Sequence, residues 1–184
     1  MNLMAKYGPL VGKILSILAN GFALGLVKDK RQRFQLHKEC DRIWYTIDRK
    51  RLYQILRRLQ MEGLVKIIKQ ANFEKIQLDE KGKMRWLRYQ FNDLKLKIPK
   101  QWDRKWRLLL FDIPESKKRI RDALRRKLKN LGFLEFQKSV FIYPYPCEDE
   151  INFIINFFNI EGYAYYLEAP ISPDDDFRKH FNLK

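Results

Sequence analysis

The 184-residue sequence predicts an α+β protein whose two halves differ in architecture. The first half predicts a winged helix-turn-helix, and the second half predicts a ferredoxin-like domain with the element order β-α-β-β-α-β. Three observations carry this prediction: a strong imbalance of charge between the halves, an amphipathic basic helix followed by a β-prone hairpin, and a regular alternation of strands and helices after residue 105.

The positive charge is concentrated in the first half. The formal net charge is +16, and residues 1–105 contain 25 Lys and Arg against 10 Asp and Glu. Residues 106–184 contain 13 against 12. A positive field attracts polyanions, so nucleic acid is the first expected partner and an anionic membrane surface is the second.

The cysteine and histidine pattern disfavours a metal site. Cys40 and Cys147 lie far apart and form no CxxC motif, and His37 and His180 add no metal-ligand spacing. We therefore predict a reducing, cytoplasmic setting, without a zinc site and without a cofactor.

The apolar run at residues 8–27 has a membrane-like composition but not the length of a span. Lys13 and Asn20 interrupt it, and its uncharged part, from Ile14 to Val27, is 14 residues long. A span needs about 20 apolar residues, so the run suits a buried core helix better. We predict no membrane partner.

The first half opens with three predicted helices. The apolar period predicts a helix at residues 9–27, and residues 28–40 predict a loop and a short second helix. The third helix, at 47–65, has the clearest apolar stripe, and Gly63 is placed to end it. The stripe consists of Leu52, Ile55, Leu56 and Leu59.

A hairpin and a last helix complete this half. Residues 65–78 predict two β-strands around a five-residue connection. Asp79 then caps a helix whose inward residues are Met84, Leu87 and Phe91. The whole order is that of a winged helix-turn-helix.

The second half alternates between strands and helices. The predicted elements are a strand at 106–113, a helix at 114–133, one bent strand or two short strands at 134–145, a helix at 147–160 and a strand at 163–169. The predicted domain limits are 1–91 for the winged helix, 92–104 for a linker, 105–171 for the ferredoxin-like domain and 172–184 for a C-terminal tail.

The polar side of the third helix is the predicted reader of double-stranded DNA, because a helix fits the major groove. The candidate readers are Arg49, Lys50, Tyr53, Gln54 and Arg57. The predicted phosphate contacts, which fix register without specifying sequence, are Lys66, Lys69 and Lys75 in the hairpin and Arg31 and Arg33 before the second helix. The alternative interpretation is the solvated basic face of an ordinary helix.

Three stretches of the second half carry a resemblance to a known family. They are QWDRKWRLLLFDIPE at 101–115, LKNLGF at 128–133 and QKSVFIYPYPCEDEI at 137–151. An apolar strand ending in Asp, a basic helix, a GF pair and a QxSVF strand resemble the CRISPR adaptation protein Cas2 and the central domain of PaaX repressors. The winged helix predicted in front makes the sequence PaaX-like rather than similar to a free-standing Cas2 protein.

The resemblance implies a homodimeric transcriptional regulator. Cas2-like domains typically pair across their sheets, so two copies would present two winged helices to an operator with two related half-sites. PaaX repressors also carry a further C-terminal domain and respond to a coenzyme A thioester of an aromatic acid. The sequence ends at Lys184, so we do not carry that ligand over, and we name no small-molecule effector.

Asp112, at the end of the first predicted strand of the second half, has two interpretations. In Cas2 nucleases the corresponding Asp of each protomer is thought to help hold a divalent metal, so the resemblance implies an alternative as a Mg- or Mn-dependent endonuclease or a CRISPR adaptation component. Locally, Asp112 and Glu115 have the spacing of a capping box, with Pro114 at the first helical position. No second acid, His or nucleophile stands nearby in sequence, so we predict a helix start.

Overall fold

The computed structural model describes residues 11–12, 14–15, 18–19, 24–27, 49–70 and 73–183. At residues 24–27, 49, 69–70 and 73–75 it describes the backbone alone. The chain divides into two compact units, Met1–Asn92 and Asp93–Lys184. The predicted second helix at 28–40 lies outside the described residues.

The described part of the first unit consists of helices and a three-stranded antiparallel sheet. Residues 11–12, 14–15 and 18–19 are helical. The further elements are β1 (Leu24–Val27), α1 (Arg49–Met61), β2 (Val65–Gln70), β3 (Phe73–Leu78) and α2 (Glu80–Asp93). The strand order in the sheet is β1-β3-β2.

Helix α1 is anchored in the core of this unit by one face. Leu52, Leu56 and Leu59 are buried, which confirms the predicted stripe. Each fully buried leucine contributes about 1.5–3 kcal/mol to stability. Gly63 ends the helix as predicted, with φ at +67°, and the amide of Leu64 donates to the carbonyl of Leu59 at 2.8 Å. The other buried members of this core are Val11, Ile14, Leu15, Leu18, Leu64, Val65, Ile76 and Leu78.

The first predicted helix is wrong over its last residues, which form a strand. Leu24–Val27 pair antiparallel with β3, so that Leu24 lies opposite Ile76. Gly21 and Gly25 weaken a helix at this point, and the strand partner satisfies the backbone groups instead. Within the described ranges, no helix combines the length and the hydropathy that a membrane span requires.

The predicted hairpin is present, with a shorter connection than predicted. Val65 pairs with Leu78, and Gln70 pairs with Phe73. Two residues rather than five therefore separate the strands. The alternating pattern locates the two strands correctly, but it underestimates how far each strand runs toward the turn.

Helix α2 packs through a different face from the predicted one. A Cβ on Gly82 would lie 2.0 Å from the backbone oxygen of Leu64, so only glycine permits this approach of two backbone segments. Met84 and Leu87, predicted to point inward, are exposed instead. The residues of α2 that face the core are Gly82, Trp86 and Tyr89. The close approach at the glycine decides the helix register, and the spacing of large apolar residues does not.

The second unit contains a four-stranded antiparallel sheet of order β5-β6-β4-β7. Its elements are β4 (Trp106–Phe111), a 3-10 turn (Glu115–Lys117), α3 (Lys118–Asn130), β5 (Leu134–Gln137), β6 (Val140–Tyr143), α4 (Glu148–Phe158), β7 (Ala164–Ala169) and α5 (Asp175–His180). The predicted order β-α-β-β-α-β is confirmed from β4 to β7. The chain turns at residues 138–139, so 134–145 form two strands rather than one bent strand.

One face of this sheet is covered and buried. Leu109 and Phe111 of β4 point to this face, and Phe141 of β6 lies opposite Leu109. All three side chains are buried. The apolar residues of α3 and α4 that supply the covering layer are Leu124, Leu128, Ile151, Ile154 and Ile155.

The other face of the sheet is apolar and partly open. Tyr165 and Leu167 of the edge strand β7 are 60% and 50% exposed. Leu110 and Leu108 of β4 pair with them, and residues directly opposed in antiparallel strands share a face. Leu108 and Leu110 are themselves only half-buried.

The predicted tail contains the helix α5, which packs on the first strand of the unit. The indole nitrogen of Trp106 donates to the Asp174 carboxylate at 3.0 Å. The rings of Phe177 and Phe181 lie 5.4 and 5.9 Å from the ring of Trp106. A buried indole needs apolar contact for its ring and an acceptor for its N–H, and this segment supplies both.

Candidate nucleic-acid interface

The outward face of α1 carries three of the predicted DNA readers. Tyr53 is 46% exposed, and Gln54 and Arg57 are also exposed. Side chains three and four positions apart are neighbours on a helix, so Arg57 adjoins both of the others. None of the three has a hydrogen-bond or ion-pair partner within the described part of the chain. We call Tyr53, Gln54 and Arg57 the α1 patch.

The chemistry of the α1 patch suits contact with a base edge. A guanidinium can donate two parallel hydrogen bonds to guanine, and a glutamine amide can pair with adenine in the same bidentate manner. A tyrosine can donate to phosphate or pack on a thymine methyl group. Because the opposite face of α1 is buried in the core, these side chains project from a fixed element.

The remaining predicted contacts are described to different extents. Lys50 is exposed on α1, and Lys66 is exposed on β2. The structure describes only the backbone at Arg49, Lys69 and Lys75, and Arg31 and Arg33 lie outside the described residues.

Lys66 differs from the α1 patch because it has an acidic partner. Its ammonium nitrogen lies 2.9 Å from the carboxylate of Asp79. The hydrogen bond and the charge of Asp79 raise the pKa of Lys66, and the same hydrogen bond lowers the pKa of Asp79. A DNA phosphate would have to compete with this carboxylate for Lys66.

Asp112 is exposed directly after β4, and the capping-box interpretation is wrong. The 3-10 turn begins at Glu115 after an extended Pro114, and no side-chain capping hydrogen bond forms there. The backbone amide of Asp112 donates to the carbonyl of Tyr163 at 2.8 Å. Among the residues that the structure describes, no three His, Cys, Asp or Glu side chains are grouped to hold a metal ion.

The basic face of α3 is paired with acids from other elements. Arg121 donates to Glu115 at 2.6 Å, and Arg125 and Lys129 both contact Glu135 of β5. The hydrogen bond from Arg121 lowers the pKa of Glu115, and those from Lys129 and Arg125 lower the pKa of Glu135. These cations are therefore partly neutralised within the protein.

Arg107 of β4 is the most deeply buried cation in the described residues, with 2% exposure. Its guanidinium donates to the two carboxylate oxygens of Asp103 at 2.6 and 2.5 Å. It also donates to Glu168 at 3.2 Å and to the carbonyl of Pro144 at 2.9 Å. The hydrogen bonds from Arg107 are the main reason that the pKa of Asp103 falls to about 2. Arg107 thus ties the segment before β4 to β7 and to the loop after β6.

A comparison with protein-family models gives a match within this second unit. Residues 99–179 match the PaaX protein central Cas2-like domain. The chain resembles PaaX proteins over these residues, which are 81 of its 184. A comparison with curated proteins gave no match. The matched range includes Asp103, Arg107 and most of α5, so the ion-pair network and the helix on Trp106 both fall within the Cas2-like domain.

Burial disfavours the reactive form of Cys147 in the Cas2-like domain. Its side chain is buried, and burial raises the pKa of the thiol to about 12. The thiolate, which is the reactive form, is therefore scarce.

The sequence contains a signal for one of the acids that pair with cations in the Cas2-like domain and none for another. Arg107 lies in an apolar strand, where a charge cannot be buried without a partner, and Asp103 stands four positions earlier. That signal could have been found. Glu135 gives no local signal, because its contact with Arg125 depends on how β5 lies beside α3.

Proposed function

We propose that this PaaX-like chain is a sequence-specific regulator of transcription that binds double-stranded DNA as a homodimer and acts as a repressor by occupying its operator. The α1 patch is the observation that carries the proposal. It presents a guanidinium, an amide and a phenol on one exposed face of a helix whose other face is held in the core. Such a helix can enter the major groove without losing its support.

The order of elements in the first unit supports a winged helix. Helical residues near the N-terminus, the strand β1, the helix α1 and the hairpin of β2 and β3 follow one another, and α2 comes last. In a winged helix-turn-helix the recognition helix is followed by such a hairpin, whose cations contact phosphates. Lys66, Lys69 and Lys75 of the hairpin are the corresponding candidates here.

The open face of the Cas2-like sheet supports the homodimer. Tyr165 and Leu167 expose large apolar surfaces, and Leu108 and Leu110 extend the same face across the sheet. Two copies that pair through this face would remove the apolar surface from water. Pairing would also set the distance between two DNA-binding units and hence the half-site spacing.

Selection from random DNA tests the proposed function. The full chain would be incubated with duplexes of about 40 base pairs, long enough for two half-sites a few helical turns apart, and bound sequences would be enriched and read. We expect a motif with two related half-sites, and protection of such a site in the DNA upstream of the gene. Binding without any enriched motif would contradict sequence-specific regulation.

Sedimentation of the variant Leu167→Glu tests the homodimer. A charge on the open face would be desolvated on pairing, so we expect dissociation to monomers. Ile98→Glu is the matched control, because Ile98 is also an exposed apolar residue but lies outside the sheet. A wild-type monomer, or equal effects of both variants, would contradict pairing through this face.

A further inference from the structure

The segment of residues 94–104 carries four cations and a single acid. The acid, Asp103, is held by Arg107 through two short hydrogen bonds. Within the described residues, no carboxylate lies at ion-pair distance from the four cations, which are Lys95, Lys97, Lys100 and Arg104. We call residues 94–104 the basic segment.

The side chains of the basic segment alternate in exposure. Leu94 and Leu96 are half-buried, whereas Lys95 and Lys97 are exposed. Lys100 is exposed as well, so all three lysines of the segment are open to water.

The C-terminal end of the basic segment is fixed on the Cas2-like domain. The indole nitrogen of Trp102 donates to the carbonyl of Lys105 at 3.1 Å, and the ring of Trp102 lies 4.9 Å from that of Trp106. Arg104, held within this turn, is exposed and has φ at +62°, a left-handed conformation that arginine rarely adopts. Because the fold already holds this end in place, less conformational entropy is lost when a ligand binds to it.

The ligand that best fits the basic segment is the phosphate backbone of duplex DNA. Lysine ammonium groups bind phosphates as point charges without reading sequence. An anionic membrane would require an apolar surface beside the cations, but Leu94 and Leu96 are half-buried. Of the large apolar side chains in the segment, Ile98 alone is exposed, at 72%, and one side chain does not form an apolar surface.

We propose that the basic segment contacts DNA phosphates outside the base pairs that α1 reads. This inference rests on the proposed function, since it assumes that the chain binds duplex DNA. It adds a second contact surface, which precedes β4 in the sequence. The contact strengthens binding to all sequences alike and leaves the choice of operator to α1.

The salt dependence of DNA binding tests the proposal. The variant Lys95→Gln/Lys97→Gln/Lys100→Gln would be compared with wild type on a random-sequence duplex and on the selected operator. Each phosphate contact contributes about 0.9 to the slope of log affinity against log salt, so we expect the slope to fall by roughly 2 to 3. The same relation predicts a loss of about 100-fold in affinity near 0.1 M salt, similar for both duplexes.

The matched control is Lys118→Gln/Lys129→Gln/Lys138→Gln, which removes the same charge from exposed positions of the second unit. Lys118 and Lys129 have acidic partners, at 3.7 Å from Glu115 and 2.5 Å from Glu135. We expect the slope of this variant to stay within about one unit of the wild-type slope. Equal slopes for the two triple variants would overturn the proposal while leaving the proposed function intact.

Two further outcomes are distinguishable. If the wild-type chain binds neither duplex, the proposed function and this inference fail together. If anionic phospholipid vesicles sediment with the wild type but not with the basic-segment variant, and the DNA slopes are equal, the segment has a lipid partner and the DNA contact is wrong.

Discussion

Helices α1 and α3 are both rich in Lys and Arg, yet the surroundings of their side chains differ. Several cations of α3 meet acids, among them Arg121 with Glu115 of the preceding turn, and Arg125 and Lys129 with Glu135 of β5. In contrast, Arg57 of α1 has no ionic partner among the described residues. The charge of a helix in the sequence therefore says little about how much of that charge can reach a ligand. The charge available to a ligand depends on whether acidic side chains from other elements lie beside the helix.

The largest expected effect concerns the most completely paired cation. We expect Arg107→Ala to lower the free energy of unfolding of the Cas2-like domain by about 3 kcal/mol, at the lower end for a buried ion pair because Asp103 and Glu168 are partly in contact with water. Urea unfolding followed by tryptophan fluorescence would measure it. Arg125→Ala, which removes a more exposed pair, should cost less than about 1 kcal/mol. Equal losses of stability would show that burial does not make the ion pairs of Arg107 stronger than that of Arg125.

The pH dependence of the same pair has a definite sign. Arg107 depresses the pKa of Asp103 to about 2, so the stabilisation is fully present above the ordinary value near 3.8 and is lost as the pH falls toward 2. The stability difference between wild type and Asp103→Asn should therefore be constant above about pH 5 and shrink in acid. A difference that grows in acid would contradict the pairing.

The support beneath α1 can be tested at Gly82. A Cβ there would collide with the carbonyl of Leu64, close to the end of α1. We expect Gly82→Ala to destabilise the first unit by about 2–3 kcal/mol, measured by thermal unfolding. Gly162→Ala is the control, because nothing lies within 4 Å of a Cβ at that position. A neutral Gly82→Ala would mean that α2 does not approach so closely.

The difference in pairing predicts a difference in DNA binding. Arg57→Ala should weaken operator binding by about 1–3 kcal/mol and relax the base preference at one position of each half-site. Arg125→Ala on α3 should change affinity by less than about twofold, because Glu135 already partly neutralises that cation. Fluorescence anisotropy on the selected operator measures both. Equal effects would remove the distinction between the helices.

Removing the acids should leave the cations of α3 as open to a ligand as Arg57 of α1 is. The double variant Glu115→Gln/Glu135→Gln releases the cations that these acids hold, so we expect slightly tighter binding to random DNA and a salt slope steeper by about 1. Glu148→Gln/Glu161→Gln makes the same change of net charge at exposed sites away from these pairs. If both variants act alike, net charge rather than local pairing explains the gain.

The smallest expected effect is at Asp112. We expect Asp112→Asn to leave operator affinity unchanged. The alternative nuclease function predicts that wild type cleaves duplex DNA with Mg²⁺ or Mn²⁺ and that Asp112→Asn does not. Incubation of labelled duplex with each protein and metal, followed by gel analysis, separates the two functions.

The sequence predicts elements well where local spacing determines them. The stripe of Leu52, Leu56 and Leu59 and the helix end at Gly63 follow from rules that act over a few residues. The alternation after residue 105 likewise locates every strand from β4 to β7. The polar face of α1 follows from the same periodicity, because a helix with one buried face exposes the other.

Local spacing does not predict the structure where segments that are distant in sequence meet. The register of α2 depends on the approach of Gly82 to Leu64, and the large apolar side chains of the helix give no sign of it. The strand at 24–27 depends on β3, about 50 positions later. The ion pairs of Arg125 and Lys129 of α3 depend on Glu135 of β5. In each case the deciding partner is remote in sequence, so a local pattern cannot contain it.

The contact of α5 with Trp106 brings the beginning and the end of the Cas2-like domain together. Trp106 starts the first strand, and Asp174, Phe177 and Phe181 follow the last one. A short peptide could join these ends, and new termini could open at the exposed turn of residues 161–162. Such a circular permutant would change the order in which the elements are synthesised and keep the same packed sheet.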